Sequence, residues 1–225
     1  MNSTGLIIGG KVVPCSKPVY NWNDHGMKFT DKKGGRKRDV KKTEINLFVL
    51  HWTAGEGDVV SCFNVLNARE LGVEFYISRE GEIFQFADPI LVDTFDAGSV
   101  NPRSVGVEIA NYGFKKEPKE IPSKAKDRKL IETIIRGHKI KLAKFYDIQL
   151  EACNALVDSV CNAITTIPKT LPSEKGKYFS NTMTKKQLNS YKGLIGHFQI
   201  SENKIDPGTD LLEYLHNKGF SYTEV

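Results

Sequence analysis

Residues 45–55 read INLFVLHWTAG, an apolar run that ends in polar and glycine residues. Such a run predicts a buried strand followed by a loop, and we expect the folded core to begin near Ile45. His51 falls at the carboxyl end of this strand, where a side chain can project from a rigid edge into a cleft. A single histidine at a strand end is usually a hydrogen-bonded structural residue, so His51 alone indicates no chemistry.

Strand and helix patterns alternate after this first strand. Asp58 is the predicted N-cap of a helix that runs to Leu71. The segments VEFYIS and EIFQFA flank residues 79–81, which predicts a hairpin. SVGVEIAN, at residues 104–111, predicts a further buried strand.

The second half of the chain has two stretches in which apolar residues recur with helical spacing. They cover residues 127–146 and 150–164, so two helices are expected to cover a sheet, with His138 on the apolar stripe of the first. Residues 167–192 are polar and irregular and predict a long surface excursion. LIGHFQ predicts a short last strand, and residues 211–217 predict a closing helix. The expected fold class is α/β, a single domain with a mixed central sheet flanked by helices.

Residues 1–44 differ in composition from the rest of the chain. They are rich in Gly, Pro, Lys and Asn, and we interpret them as a basic amino-terminal arm that precedes a main domain at residues 45–225. Lys and Arg number 32 against 27 Asp and Glu, and much of the excess lies at residues 32–42. This run is either a solvated loop or a docking segment for an anionic surface; without interleaved aromatic residues it does not indicate nucleic-acid binding.

Two further features bear on the class of protein. The apolar run at residues 6–8 is too short for the core of a signal peptide, and no stretch is long enough to span a membrane. The four cysteines form no C-x-x-C pair, so the sequence indicates neither a zinc knuckle nor a redox motif, and we expect reduced thiols.

The segment GHFQISENKIDPG, at residues 196–208, supplies partners for His51. It carries His197, and Asp206 follows nine residues later, just before Pro207. Two imidazoles and one carboxylate form a three-ligand set that suits catalytic zinc, which keeps a fourth position for water. A structural zinc site would usually be closed by cysteines, which both segments lack. The alternative for Asp206 is a turn residue before proline.

Four segments, taken in their order, resemble a known family. They are LFVLHWTAG, FYISREGEIFQF, DAGSVNPRSVGVEIAN and GHFQISENKIDPG. A histidine after the first strand, an Asn-x-x-Ser-x-Gly-x-Glu stretch and a final His…Lys-x-Asp-Pro-Gly are similar to the zinc-dependent N-acetylmuramoyl-L-alanine amidases. This family includes phage amidase-type lysozymes, bacterial anhydromuropeptide amidases and animal peptidoglycan recognition proteins. The resemblance runs from about Ile45 to Leu215.

The resemblance implies a role for each matching residue. His51, His197 and Asp206 align with the zinc ligands. Glu108 aligns with the catalytic glutamate of the anhydromuropeptide amidases, and Lys204 aligns with a lysine that assists the reaction. In that role Glu108 would carry a proton from water to the leaving nitrogen, and the Lys204 ammonium would stabilise an oxyanion. The alternatives are a glutamate paired with a buried cation and an ordinary solvent-exposed lysine.

Several positions depart from the family pattern. Many relatives carry Trp-His where this chain has Phe95 and Asp96, and a histidine or similar residue in place of Glu74. Val73 stands where phage-type relatives carry an assisting tyrosine, which favours the glutamate-based arrangement. The excursion at residues 167–192 is expected to border the substrate groove. The candidate substrate contacts are Thr53, Phe95, Asp96, Tyr178 and Phe179.

The resemblance implies a peptidoglycan hydrolase that uses zinc to cleave the amide bond between N-acetylmuramic acid and L-alanine. A cell-wall lytic enzyme of the phage endolysin type is the expected setting. The alternatives are a non-catalytic peptidoglycan-binding module and a cytoplasmic muropeptide-recycling amidase; the complete ligand set and Glu108 favour catalysis. The expected protein is a monomer that binds peptidoglycan or muropeptides, does not bind nucleic acid or insert into membranes, and stays in the cytoplasm unless it is released to the wall.

Overall fold

A six-stranded mixed sheet forms the centre of the fold. The computed structural model describes residues 5–39, 41–55, 57–114 and 126–225. Its strands are β3 (Val19–Tyr20), β5 (Leu47–Trp52), β6 (Phe75–Ile77), β7 (Ile83–Gln85), β9 (Ser104–Ile109) and β15 (Gly193–Gly196). They lie in the order β15-β5-β9-β6-β7-β3, with β5 parallel to both of its neighbours and β6 antiparallel to β7. This confirms the expected α/β class with a mixed sheet.

Side chains alternate along β5 and so divide the core between the two faces of the sheet. Phe48 and Leu50 pack in the largest cluster with α3 (Asp147–Ala163) and α6 (Asp210–Asn217). Leu47 and Val49 pack on the opposite face, beside the 3-10 helix at Gly98–Arg103 and α4 (Lys185–Ser190). His51 lies two residues beyond Val49 and therefore emerges on this second face, at the end of the strand.

The helix predicted after the first strand is α2 (Val59–Ala68). The carboxylate of Asp58 accepts a hydrogen bond from the backbone N–H of Ser61 at 2.8 Å, which confirms the N-cap. Phe63 and Leu66 pack from α2 into a cluster with Phe29 and Tyr76. The helix thereby forms one wall above the edge of the sheet.

The helix predicted for residues 127–146 is wrong. The chain forms a hairpin there, β11 (Leu130–Ile135) and β12 (His138–Ala143), and β12 also pairs with β10 (Gly113–Phe114). Arg136 and Gly137 connect the strands with φ of 52° and 73°, the left-handed conformation that a two-residue hairpin turn requires. His138 is exposed beside this turn, so it does not lie on an apolar stripe as the helical pattern indicated.

The segment at residues 167–192 is ordered rather than irregular. It forms β13 (Thr170–Glu174), β14 (Lys177–Tyr178) and α4. The predicted closing helix α6 is present, but β16 (Ser221–Glu224) follows it and pairs in parallel with β13. The excursion is therefore held by the carboxyl-terminal strand and by the core cluster beside α4.

Residues 5–39 pack on the domain and do not extend from it as the arm that their composition suggested. They contribute β1 (Leu6–Ile8), β2 (Lys11–Val13), α1 (Trp22–His25), the sheet-edge strand β3, and β4 (Gly35–Lys37), which pairs with β8 (Val92–Thr94). Leu6, Val19 and Phe29 are fully buried. Within the described ranges, no helix has the length and apolar character needed to cross a membrane.

Candidate metal centre

Two parallel strands bring the first two metal-ligand candidates together. Gly196, the last residue of β15, pairs with Leu50 of β5, so the next residues, His197 and His51, lie side by side. His197 begins the short helix α5 (His197–Ile200) and does not lie in the strand, a small correction to the expectation. The loop after α5 then returns Asp206 to the same point.

The three ligand atoms face one another. The Nδ1 atoms of His51 and His197 are 2.9 Å apart, and the Asp206 carboxylate oxygen lies 3.3 Å and 3.0 Å from them. Tetrahedral zinc with bonds of about 2.05 Å separates its ligand atoms by about 3.3 Å. The donor set and its spacing therefore fit a zinc ion, and this is the one group of three such ligands found among the described residues.

The charges around the three ligands favour a cation between them. Burial lowers the pKa of His51, but hydrogen bonds to Asp206 and Asp96 outweigh it and raise that pKa to about 10. Burial and the neighbouring His51 lower the pKa of His197. Burial would raise the pKa of Asp206, but its hydrogen bonds with the two histidines lower it. The two aspartates thus favour a positive charge at this point.

Glu108 lies beside His51 on the neighbouring strand. The two residues are paired in the register of β5 and β9, and both line one cleft. The Oε2 atom of Glu108 is shielded from solvent and has no hydrogen-bond partner among the described residues. Burial raises the pKa of Glu108 to about 7, opposed by the charge on His51. A carboxylate with these properties is suited to accept a proton near neutral pH.

Lys204 lines the same cleft from the loop between α5 and Asp206 and is exposed at its mouth. The loop is held from outside the cleft by Arg136, whose guanidinium donates to the carbonyls of Lys204 at 2.8 Å and Phe198 at 3.2 Å. Arg136 belongs to the hairpin turn that was predicted as helix. Its position was therefore not predictable from the helical pattern, although an Arg-Gly pair is itself compatible with a turn.

The cleft has a volume of about 320 Å³ and adjoins a second cavity of about 200 Å³. Thr53, Leu66, Arg69 and Glu108 line both spaces, so α2 forms a shared wall. Arg69, which the sequence did not single out, is an exposed cation on that wall.

The structure separates the five candidate substrate contacts into two groups. Thr53, Phe95 and Asp96 line the cleft. Tyr178 and Phe179 are not among the residues that line either cavity. Phe179 is only 5% exposed and packs in the core cluster with Leu47, because the excursion folds onto the sheet. This position in the core does not favour the predicted contact with substrate.

Asp96 occupies an unexpected position within the cleft. Its Oδ2 atom lies 3.2 Å from Nε2 of His51, the ring nitrogen that points away from His197. The side chain of Asp96 is only 5% exposed and that of His51 only 2%. A carboxylate buried against the imidazole of a candidate metal ligand is placed to orient that ring rather than to contact a substrate from solvent.

Comparisons with known proteins identify the family of this chain. The sequence profile of the family described as N-acetylmuramoyl-L-alanine amidase matches residues 41–209. No match was found among curated proteins.

Several solved structures share the fold. The endolysin N-acetylmuramoyl-L-alanine amidase LysCS from Clostridium intestinale has a TM-score of 0.54 at 15% identity, covering 92% of this chain and 97% of that chain. Peptidoglycan recognition protein SD from Drosophila has a TM-score of 0.53 at 15% identity, covering 93% and 99%. Human PGRP-IβC, in complex with glycosamyl muramyl pentapeptide, has a TM-score of 0.52 at 12% identity, covering 90% and 97%. At these identities the likeness shows the fold alone.

Proposed function

Because this chain belongs to the N-acetylmuramoyl-L-alanine amidase family, we propose that it is a zinc-dependent enzyme that cleaves the amide bond between N-acetylmuramic acid and L-alanine. The observation that carries the proposal is the meeting of His51, His197 and Asp206 in one cleft with Glu108. The Oε2 atom of Glu108 has no hydrogen-bond partner in the part of the chain that the structure describes. We further propose that it acts on peptidoglycan as a cell-wall lytic enzyme, the role named for the endolysin LysCS.

The residues of the cleft have different roles in the proposed reaction. A zinc ion held by the three ligands would polarise the scissile carbonyl and lower the pKa of a water molecule. Glu108 accepts the proton that leaves this water as its oxygen bonds to the carbonyl carbon. As the carbon–nitrogen bond breaks, Glu108 returns the proton to the alanine nitrogen. The products are a lactyl carboxylic acid and a free L-alanine amine.

Lys204 stabilises negative charge on the substrate carbonyl oxygen in this scheme. Its ammonium is at the cleft mouth, two residues before the Asp206 ligand, and its backbone carbonyl is held by Arg136. A cation near a developing oxyanion lowers the energy of the transition state more than that of the ground state. Lys204 therefore supports amide hydrolysis more than substrate binding.

An intact ligand set distinguishes this proposal from a binding-only role. A module that only binds peptidoglycan needs the groove but not a buried cluster of two histidines, an aspartate and Glu108. The Oε2 atom of Glu108 has no hydrogen-bond partner among the described residues, and a buried polar atom in that state costs stability. Its presence supports catalysis.

Digestion of purified peptidoglycan sacculi tests the reaction. We expect the products to carry new free L-alanine amino groups and no new reducing sugar ends. Of the three carboxylates that line the cleft, Asp96 and Asp206 contact His51. Only Glu108 then remains for proton transfer, whereas a glycosidase uses a pair of carboxylates. Mass spectrometry of the soluble fragments identifies the bond that is cut. The Glu108→Gln protein is the matched control. New reducing ends without new amines would contradict the proposal.

Metal analysis tests the ligand assignment. We expect one zinc ion per chain in the wild-type protein and none in the His51→Ala/His197→Ala variant, because one carboxylate cannot hold the ion in an open site. His138→Ala, which removes an exposed histidine at the β11–β12 turn, is the matched control and should keep its zinc. Stoichiometric zinc in the double variant would show that the metal is bound elsewhere.

A further inference from the structure

We propose that Asp96 is a positioning residue that orients the His51 ring and thereby sets the affinity of the site for zinc. The proposal rests on the zinc site of the proposed function and adds a residue to it. Asp96 was predicted from the sequence only as a substrate contact. Three independent features of the fold assign it to His51 instead.

The first feature is the direction of the His51 ring. Its Nδ1 atom faces His197 and Asp206, so this nitrogen must be free of a proton to bind a metal ion. The proton of the neutral ring then lies on Nε2, which needs an acceptor because it is buried. The Oδ2 atom of Asp96 lies 3.2 Å from Nε2 and supplies that acceptor. A carboxylate in this position fixes both the tautomer and the orientation of a metal-ligating histidine.

The second feature is the absence of a side chain at Gly106. A Cβ atom at this position would lie 1.9 Å from Oδ2 of Asp96 and 3.0 Å from its Cγ. Gly106 pairs with Val49 in β5, two residues before His51 pairs with Glu108. The Asp96 carboxylate therefore occupies the space that a side chain at position 106 would fill. This space lies next to His51, on the face of β9 that carries Glu108.

The third feature is a set of buried contacts that holds the strand segments around Asp96. Glu74 accepts a hydrogen bond from the Gly106 amide at 2.8 Å and pairs with the Arg38 guanidinium at 3.4 Å. The backbone N–H of Ala97 donates to the Asn101 side chain at 2.7 Å. The backbone at Ala97 and at Gly106 is thus fixed, so Asp96 meets His51 already oriented and little order is lost when a metal binds.

Zinc affinity of the metal-free protein, measured by competition with a chromogenic chelator, tests the role of Asp96. We expect Asp96→Ala to weaken zinc binding by about 10–100-fold, the usual cost of losing an outer-shell partner. Asp96→Asn should lose less, because its amide oxygen still accepts from Nε2. Asp93→Asn is the matched control: Asp93 is a buried carboxylate of β8 that pairs with Arg36 and contacts no ligand, so it should bind zinc as the wild type does.

Thermal unfolding of the metal-free variants separates positioning from general damage. We expect Asp96→Ala to lower the unfolding temperature of the metal-free protein, because Nε2 of His51 loses its buried acceptor. Beyond that loss, the stability that zinc adds to the metal-free protein should be smaller in the variant than in the wild type. A second variant, Gly106→Ala, displaces the carboxylate without removing it and should also weaken zinc binding. Because both changes break the same contact, the double variant should lose little more than either single one.

The outcomes distinguish this inference from the proposed function. Tight zinc binding by wild type together with undiminished affinity in Asp96→Ala would overturn the positioning role and leave the zinc site in place. A wild-type protein that binds no zinc would overturn both. Additive losses in the Gly106→Ala/Asp96→Ala variant would show that the two residues act on different parts of the site and would overturn the mechanism argued from Gly106.

Discussion

The Glu108→Gln variant is expected to hydrolyse peptidoglycan about 10²–10⁴-fold more slowly than wild type, the usual loss when a general base is removed. Glutamine keeps the shape of the side chain and can still orient water by hydrogen bonding. It cannot accept the proton, and the Oε2 atom it replaces is the buried oxygen without a partner beside His51. The loss should therefore fall on kcat and leave KM nearly unchanged.

Steady-state kinetics on soluble muropeptide fragments measure this effect, with zinc content determined on the same preparations. Glu132→Gln is the matched control, since Glu132 is an exposed carboxylate on β11 that pairs with Lys139. Near-normal turnover at full zinc occupancy would remove Glu108 from the mechanism. Loss of zinc together with activity would mean that Glu108 supports the ligands, and the general-base role would then lack support.

The second large effect is expected on stability, from Arg38. This residue belongs to the basic run that the sequence indicated as a solvated or docking segment, yet its side chain is only 1% exposed and pairs with the fully buried Glu74. Its guanidinium also donates to the carbonyls of Ser104 at 2.8 Å and Pro102 at 2.7 Å. Arg38 thereby joins the amino-terminal segment to the start of β9, the strand that carries Glu108.

We expect Arg38→Met to lower the free energy of unfolding by about 3–5 kcal/mol at alkaline pH, because it leaves a buried carboxylate without its counter-charge. Burial raises the pKa of Glu74 to about 8, and Arg38 acts against that rise. Removing Arg38 therefore raises the pKa of Glu74 further. Above about pH 8 the Glu74 carboxylate of the wild type is ionised and paired with Arg38. In the variant Glu74 has to be buried either protonated or as an unpaired carboxylate. The loss of unfolding free energy should therefore grow as pH rises and become smaller toward about pH 6.

Urea unfolding of the metal-free proteins at both pH values measures this difference. Lys37→Met is the matched control, because Lys37 is the exposed neighbour of Arg38 and its loss should change stability by no more than about 0.5 kcal/mol. Arg38→Met/Glu74→Gln should recover part of the loss, since it removes the uncompensated charge. Equal stability of Arg38→Met and Lys37→Met at alkaline pH would contradict the interpretation of Arg38 as a structural cation.

Local patterns in the sequence predicted several parts of the protein correctly. The apolar run before His51 predicted β5, Asp58 predicted the start of α2, and the spacing of apolar residues predicted α3. The order of the four segments predicted the family, and with it a ligand set whose atoms meet in the structure. Each of these predictions depends on a short stretch of sequence or on the type of residue that begins or ends a helix or strand.

Features that depend on contacts between distant residues could be assigned only from the folded structure. Apolar residues at 130–142 fit a helix as well as two strands, and the pairing of β11 with β12 and of β12 with β10 resolved them as a hairpin. Phe179 and Arg38 became buried because the segments that carry them fold back onto the core. Asp96 turned toward His51, 45 residues away in the chain, because Gly106 left room for its carboxylate there. The burial and direction of a side chain depend on residues from elsewhere in the chain that pack against it. A local sequence pattern does not contain information about these contacts.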